Sequence, residues 1–112
     1  MIPEIESWSV QKSANLYGLS NWGGDYFGVN DAGHVTVTPN GPNGPKVDLY
    51  DLVKAVEQRD IELPLLFRFN GILRHRVKSL CDSFESAIKE YNYQGKYFPA
   101  FPIKVNQQRH VI

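Results

Sequence analysis

The chain has 112 residues, 12 basic and 12 acidic side chains, a formal net charge of zero and 42% hydrophobic residues. This is long enough for one small domain with a core and too apolar for intrinsic disorder, and its neutrality gives no long-range reason to expect nucleic acid or an acidic membrane as partner. A single cysteine, Cys81, excludes an internal disulfide scaffold. MIPEIESWSV carries neither a basic leader nor an apolar h-region, and no apolar run reaches the length of a membrane span. A soluble, cytoplasmic protein is expected.

Residues 1–25 show little periodicity. Their aromatics Trp8, Tyr17 and Trp22 are expected to pack onto a core, and Gly18, Gly23 and Gly24 to supply turns. YFGV (26–29) and HVTVT (34–38) flank a short turn at 30–33. Val35 and Val37 alternate with His34, Thr36 and Thr38, which predicts a β-hairpin. PNGPNGPK (39–46) is a loop. It lacks the Gly-Lys-Ser/Thr ending that a phosphate-cradling P-loop requires.

From Val47 the period becomes helical. Leu49, Leu52, Val53 and Val56 fall at i, i+3, i+4 and i+7, with Asp48 as N-cap and an end near Arg59. LPLLFRF (63–69) is apolar almost throughout, as in a strand covered on both faces. Asn70 is the expected cap of a long helix whose apolar stripe is Leu73, Val77, Leu80, Cys81, Phe84, Ile88 and Tyr91, closed by Gly95. KYFPAFPIK (96–104) reads as a second strand. Strand, long helix and strand make a βαβ unit with parallel strands, and the break near residue 46 separates it from the hairpin module.

Most polar residues carry no site signal. His34, His75 and His110 share no ligand spacing with one another or with Cys81, so they predict no metal site. Cys81 lies on the apolar stripe and reads as a buried structural thiol. Arg68, Arg74, His75, Arg76 and Lys78 read as a solvated face balanced by Asp82, Glu85 and Glu90. Lys104 is different in its place, at the carboxyl end of the second parallel strand. Ligands and catalytic groups gather at that end of α/β folds, and a lysine amine there can form a Schiff base. The same pattern also fits a lysine that simply leaves a strand to reach water.

FPIKVNQQRHVI resembles the segment around the pyridoxal-phosphate lysine of the biosynthetic arginine decarboxylases. WSVQKSANLYGLSNWGGDYFGV, VDLYDLV and LPLLFRFNGILRHRVKSLCDSFESAIKEYNYQGKY extend that resemblance, in order, over almost the whole chain. Lys-Val-Asn-Gln-Gln-Arg is specific to this branch. The wider alanine-racemase-like and ornithine-decarboxylase-like group has a looser version, here Lys104 and Asn106. The resemblance implies an α/β fold: an N-terminal β-hairpin module (1–46) from a β domain, then the first βα units (47–112) of a (β/α)8 barrel, incomplete in this chain. It implies that Lys104 is both the catalytic and the cofactor-binding residue, holding pyridoxal phosphate as a Schiff base. It further implies arginine as substrate, agmatine and carbon dioxide as products for polyamine synthesis, magnesium as a second cofactor, and a homo-oligomeric full-length enzyme. Such a barrel needs about 250 residues. The chain is therefore expected to be a fragment without activity of its own. A non-catalytic binding module, or one chain of a split enzyme, is the alternative.

Overall fold

The computed structural model describes residues 7–112. Most of the leader-free reading concerns residues 1–6 and lies outside the described residues. The chain divides into two compact units, Met1–Arg68 and Phe69–Ile112.

The first unit is built on the expected hairpin. Strands β1 (Phe27–Val29) and β2 (Val35–Val37) pair antiparallel, with Phe27 opposite Val37 and Val29 opposite Val35. The turn closes because Asn30 exchanges backbone bonds with its far side. Its N–H reaches the His34 carbonyl at 2.9 Å, and its Oδ1 accepts from the Ala32 and His34 N–H groups. Gly33 takes φ +83°, which favours glycine, and a Cβ there would crowd the Trp8 ring at 3.2 Å. A short third strand, β3 (Val47–Asp48), pairs antiparallel with the other edge of β2 and makes it the central strand. Val37 is therefore fully buried, and Thr36 is buried on the opposite face. Thr38 donates its hydroxyl to the Asp25 carbonyl at 2.9 Å and so adds no unpaired polar group to the interior.

The aperiodic N-terminal stretch folds as two short helices, α1 (Val10–Leu16) and α2 (Leu19–Trp22), packed on each other and on β1. Ser9 caps α1 by accepting from the Lys12 N–H, and Gly18, at φ +61°, turns the chain between them. Leu19 enters the core, whereas the aromatics expected there do not: Trp8, Tyr17 and Trp22 all stay mostly exposed. Trp22 instead lies against Phe27, ring centroids 5.2 Å apart, and bonds the Tyr17 carbonyl. Residues 39–46 form a turn-rich loop, as expected. Helix α3 (Leu49–Glu57) follows where the period predicts it, packs on β2 and β3, and is capped by Asp48.

The second unit is dominated by α4 (Asn70–Glu90). Its N-cap is Phe69, without a side-chain bond, and Asn70 is already helical, which corrects the expected cap by one residue. At the other end the left-handed residue is Asn92, at φ 49°, and not Gly95; the Tyr93 N–H returns to the Ile88 carbonyl at 2.9 Å. Gly95 is needed for space, because the Tyr93 ring lies over the position its Cβ would take. The stripe from Leu73 to Tyr91 has the expected spacing but is not buried: Leu73, Val77, Leu80 and Phe84 are each about half exposed. Tyr97 covers part of it by stacking on Phe84, centroids 4.0 Å apart and planes 7° from parallel.

The expected parallel strand pair does not form. Residues 63–69 and 96–102 lie outside regular secondary structure, and 103–105 form a single 3-10 turn. A parallel strand exists only with neighbours that complete its ladder. The described sheet consists of β1, β2 and β3 alone. Apolar character supplied the strand reading, and it cannot supply the neighbouring strands.

Candidate functional site

Two places gather chemistry-bearing side chains, one in each unit. In the second, Lys104 sits in the 3-10 turn Ile103–Val105, entered from Pro102 in an extended conformation. The turn is closed by the Val105 N–H on the Pro102 carbonyl and the Asn106 N–H on the Ile103 carbonyl, both at 3.1 Å. Asn106 then accepts the Gln108 N–H on its side-chain oxygen at 3.2 Å, and the Val111 N–H reaches the Gln108 carbonyl. Asn106 thus fixes the loop that follows the lysine. Lys104 itself is exposed, as are Ile103 and Val105 beside it. The expected strand-end position and partial desolvation are therefore absent, for the same reason that the strand is absent.

In the first unit Asp48 joins three elements. Its Oδ1 caps α3, accepting the Tyr50 and Asp51 N–H groups at 2.9 and 3.2 Å. Its Oδ2 meets Asn30 Nδ2 at 2.6 Å and His34 Nδ1 at 2.8 Å, which ties the hairpin turn to the helix. The His34 ring lies against Tyr50, centroids 4.6 Å apart. Burial pushes the Asp48 carboxyl up, but the bonds from His34, the Asp51 N–H and Asn30, with the charge of His34, outweigh it and hold the carboxyl below its ordinary value.

His34, Asp48 and Asp51 each offer a ligand atom within 4.8 Å of the others. Sequence spacing alone missed this trio. No sequence pattern marks it: it depends on the pairing of β2 with β3, which sets Thr36 opposite Asp48 and so brings His34 and Asp48 to one end of the sheet. The donor set does not suit magnesium, which takes oxygen ligands in a near-octahedral shell. Both Asp48 oxygens already accept two hydrogen bonds each, and the third member offers nitrogen. Asp48 and His34 form a structural tie, which Asp51 joins through its backbone N–H.

The remaining sequence candidates stay apart from both places. Lys78 pairs with Asp82 one turn along α4, and that bond, with the charge of Asp82, raises its pKa. This is the solvated, charge-balanced face that composition predicts. Cys81 is a free thiol, half-buried rather than fully buried. Among the described residues no helix is long and apolar enough to cross a membrane.

Comparison with known proteins adds what geometry cannot. No family model matches the chain. The biosynthetic arginine decarboxylase of Thermosynechococcus vestitus is 50% identical over 111 residues, 99% of this chain and 17% of that protein. The protein of the same name from Parasynechococcus marenigrum is 48% identical over 111 residues, again 99% of this chain and 17% of its own length. That of a Nostoc species is 50% identical over 105 residues, 94% of this chain. The chain thus spans about 17% of the length of the relatives it matches.

Proposed function

We propose that the chain forms the amino-terminal portion of a pyridoxal-phosphate-dependent biosynthetic arginine decarboxylase, with residues 1–46 belonging to its β domain and 47–112 opening its (β/α)8 barrel. The observation that carries this reading is identity of about 50% across 99% of the chain to proteins of that name. The antiparallel hairpin at 27–37 and the segment FPIKVNQQRH are consistent with it. Arginine is the substrate and agmatine and carbon dioxide the products. The assembled enzyme is cytoplasmic and homo-oligomeric and needs neither nucleic acid nor a membrane.

Lys104 supplies the amine that holds the cofactor. When bound, pyridoxal phosphate acts as the sink for the electron pair left by the departing carboxylate. The chain's own part is attachment and placement. The 3-10 turn projects the Lys104 side chain, and Asn106 holds the backbone just beyond it through Gln108. Asp48 is a poor candidate for holding magnesium, because each of its carboxylate oxygens already has two nitrogen partners.

The test is covalent. Borohydride reduction of the cofactor-loaded, full-length enzyme followed by peptide mapping should place a pyridoxyl mass on Lys104. A pyridoxyl group on a different lysine overturns the assignment. Lys104→Ala should abolish agmatine formation while leaving the helical signal of the chain unchanged.

A further inference from the structure

A third place in the molecule is a cleft of about 210 Å³ in the first unit, lined among others by Asp25, Gly28, Thr36, Thr38 and Lys46. Both threonines are more than nine-tenths buried, Thr36 at 7% exposure and Thr38 at 6%. Their hydroxyls are used differently. That of Thr38 is taken up by the Asp25 and Tyr26 carbonyls, at 2.9 and 3.2 Å. That of Thr36 has no hydrogen-bond partner among the described residues, yet it is not sealed from its surroundings. Its oxygen therefore opens to the cleft, and any hydrogen bond it makes is made there. Gly28 stands opposite Thr36 in the strand register. No positive φ and no backbone contact demands glycine there; a Cβ would meet only the Thr36 hydroxyl oxygen, at 3.4 Å. Glycine inside a strand costs stability and marks places where a ligand or another backbone comes close. Here its missing side chain leaves the Thr36 hydroxyl uncovered.

The charged residues of the cleft are Asp25 and Lys46, both exposed, and neither side chain is paired with a described residue. Two opposite charges that line one cleft without neutralising each other leave both available to a ligand. The volume sets the ligand's size: it is smaller than the roughly 300–1,000 Å³ of pockets that take drug-sized molecules, so the ligand has few heavy atoms. We infer that the cleft binds a small zwitterion of the α-amino-acid class. The Lys46 ammonium and the Thr36 hydroxyl hold its carboxylate, and the Asp25 carboxylate holds its ammonium. Every residue of the cleft belongs to the first unit, whereas Lys104 belongs to the second. The inference goes beyond the decarboxylase reading and does not depend on it.

The probe is L-alanine, titrated into the isotope-labelled 112-residue chain and followed by amide chemical shifts. Saturable shifts are expected at Asp25, Gly28, Thr36 and Lys46. Acetate and methylammonium, which carry one charge each, should bind at least about tenfold more weakly, as befits the loss of one charged hydrogen-bonding group. Thr36→Val removes the hydroxyl and Gly28→Ala covers it. Each should weaken alanine binding about tenfold or more without lowering the thermal midpoint, because neither breaks a bond within the protein. A hydroxyl with a purely structural role would show the reverse, a lowered midpoint with binding unchanged. Lys46→Gln, at an exposed position that folding does not need, should weaken binding as well. No saturable shift with alanine, or binding indifferent to Thr36→Val and Lys46→Gln, overturns the site. Acetate bound as tightly as alanine overturns the zwitterion assignment. Agmatine formation enters none of these outcomes, so a failure here and a failure of the decarboxylase reading are told apart.

Discussion

Asp48 is where single residues matter most in the first unit. One carboxylate caps α3 and holds the hairpin turn through Asn30 and His34. Asparagine also caps helices well, but it has a single side-chain oxygen and would set an NH2 donor against the Asn30 NH2. The expected order of thermal midpoints is wild type, then Asp48→Asn, then Asp48→Ala, measured by circular dichroism; equal midpoints for wild type and Asp48→Asn would mean that only the cap matters. The pH dependence has a fixed sign. The folded-state pKa of Asp48 is lowered, so its contribution is fully present above the unfolded value of about 4 and is lost as pH falls through the depressed folded value. Acid titration of stability should therefore be flatter below about pH 4 in Asp48→Asn than in the wild type. Gly33 makes a second residue-scale case. Alanine at φ +83° strains the backbone by about 1–2 kcal/mol and also displaces Trp8, so Gly33→Ala should lower the midpoint and alter tryptophan fluorescence.

At the scale of elements, sequence and structure agree where a pattern is completed locally. The hairpin needs only its own turn residues, and α3 needs only Asp48 and a four-residue apolar period. Both are legible. β3 was not, because two residues show no period and exist as a strand only through β2. The two apolar segments at 63–69 and 96–104 were misread for the converse reason: their composition is that of buried strands, but pairing is a property of neighbours. Lys104 was legible as a distinct residue through the motif around it, while its surroundings were not, since they depend on that pairing. The same distinction predicts mutational costs. Val37→Ala, at a fully buried position, should cost about 1–3 kcal/mol in the isolated chain. Leu80→Ala, half exposed, should cost well under the roughly 2–5 kcal/mol of a buried leucine. Urea melts of the two variants would reverse this order if α4 were packed as its stripe suggests.

For the whole molecule the consequence is uneven stability between the two units, each taken by itself. The first has a core, small as it is: Val37, on the central strand, and Leu19, on α2, are buried, with α3 packed on β2 and β3 and with α1 and α2 packed on β1. The second has a 21-residue helix with no buried residue, steadied by the Phe84–Tyr97 stack and by helical bonds open to water. Helices draw most of their stability from burying an apolar face, and α4 has not buried its own. Local opening free energy should follow. In native-state hydrogen exchange on the 112-residue chain, the amides of β2 should be the slowest, and those of α4 should exchange by local fraying well before the sheet opens. If α4 amides were instead protected to the same degree as β2, its face would have to be covered in the free chain, by self-association or by the first unit. Dilution distinguishes these two outcomes, because only self-association loses its protection as the concentration falls. The expected result, a protected sheet and an open helix, would mark α4 as less stable locally than the sheet.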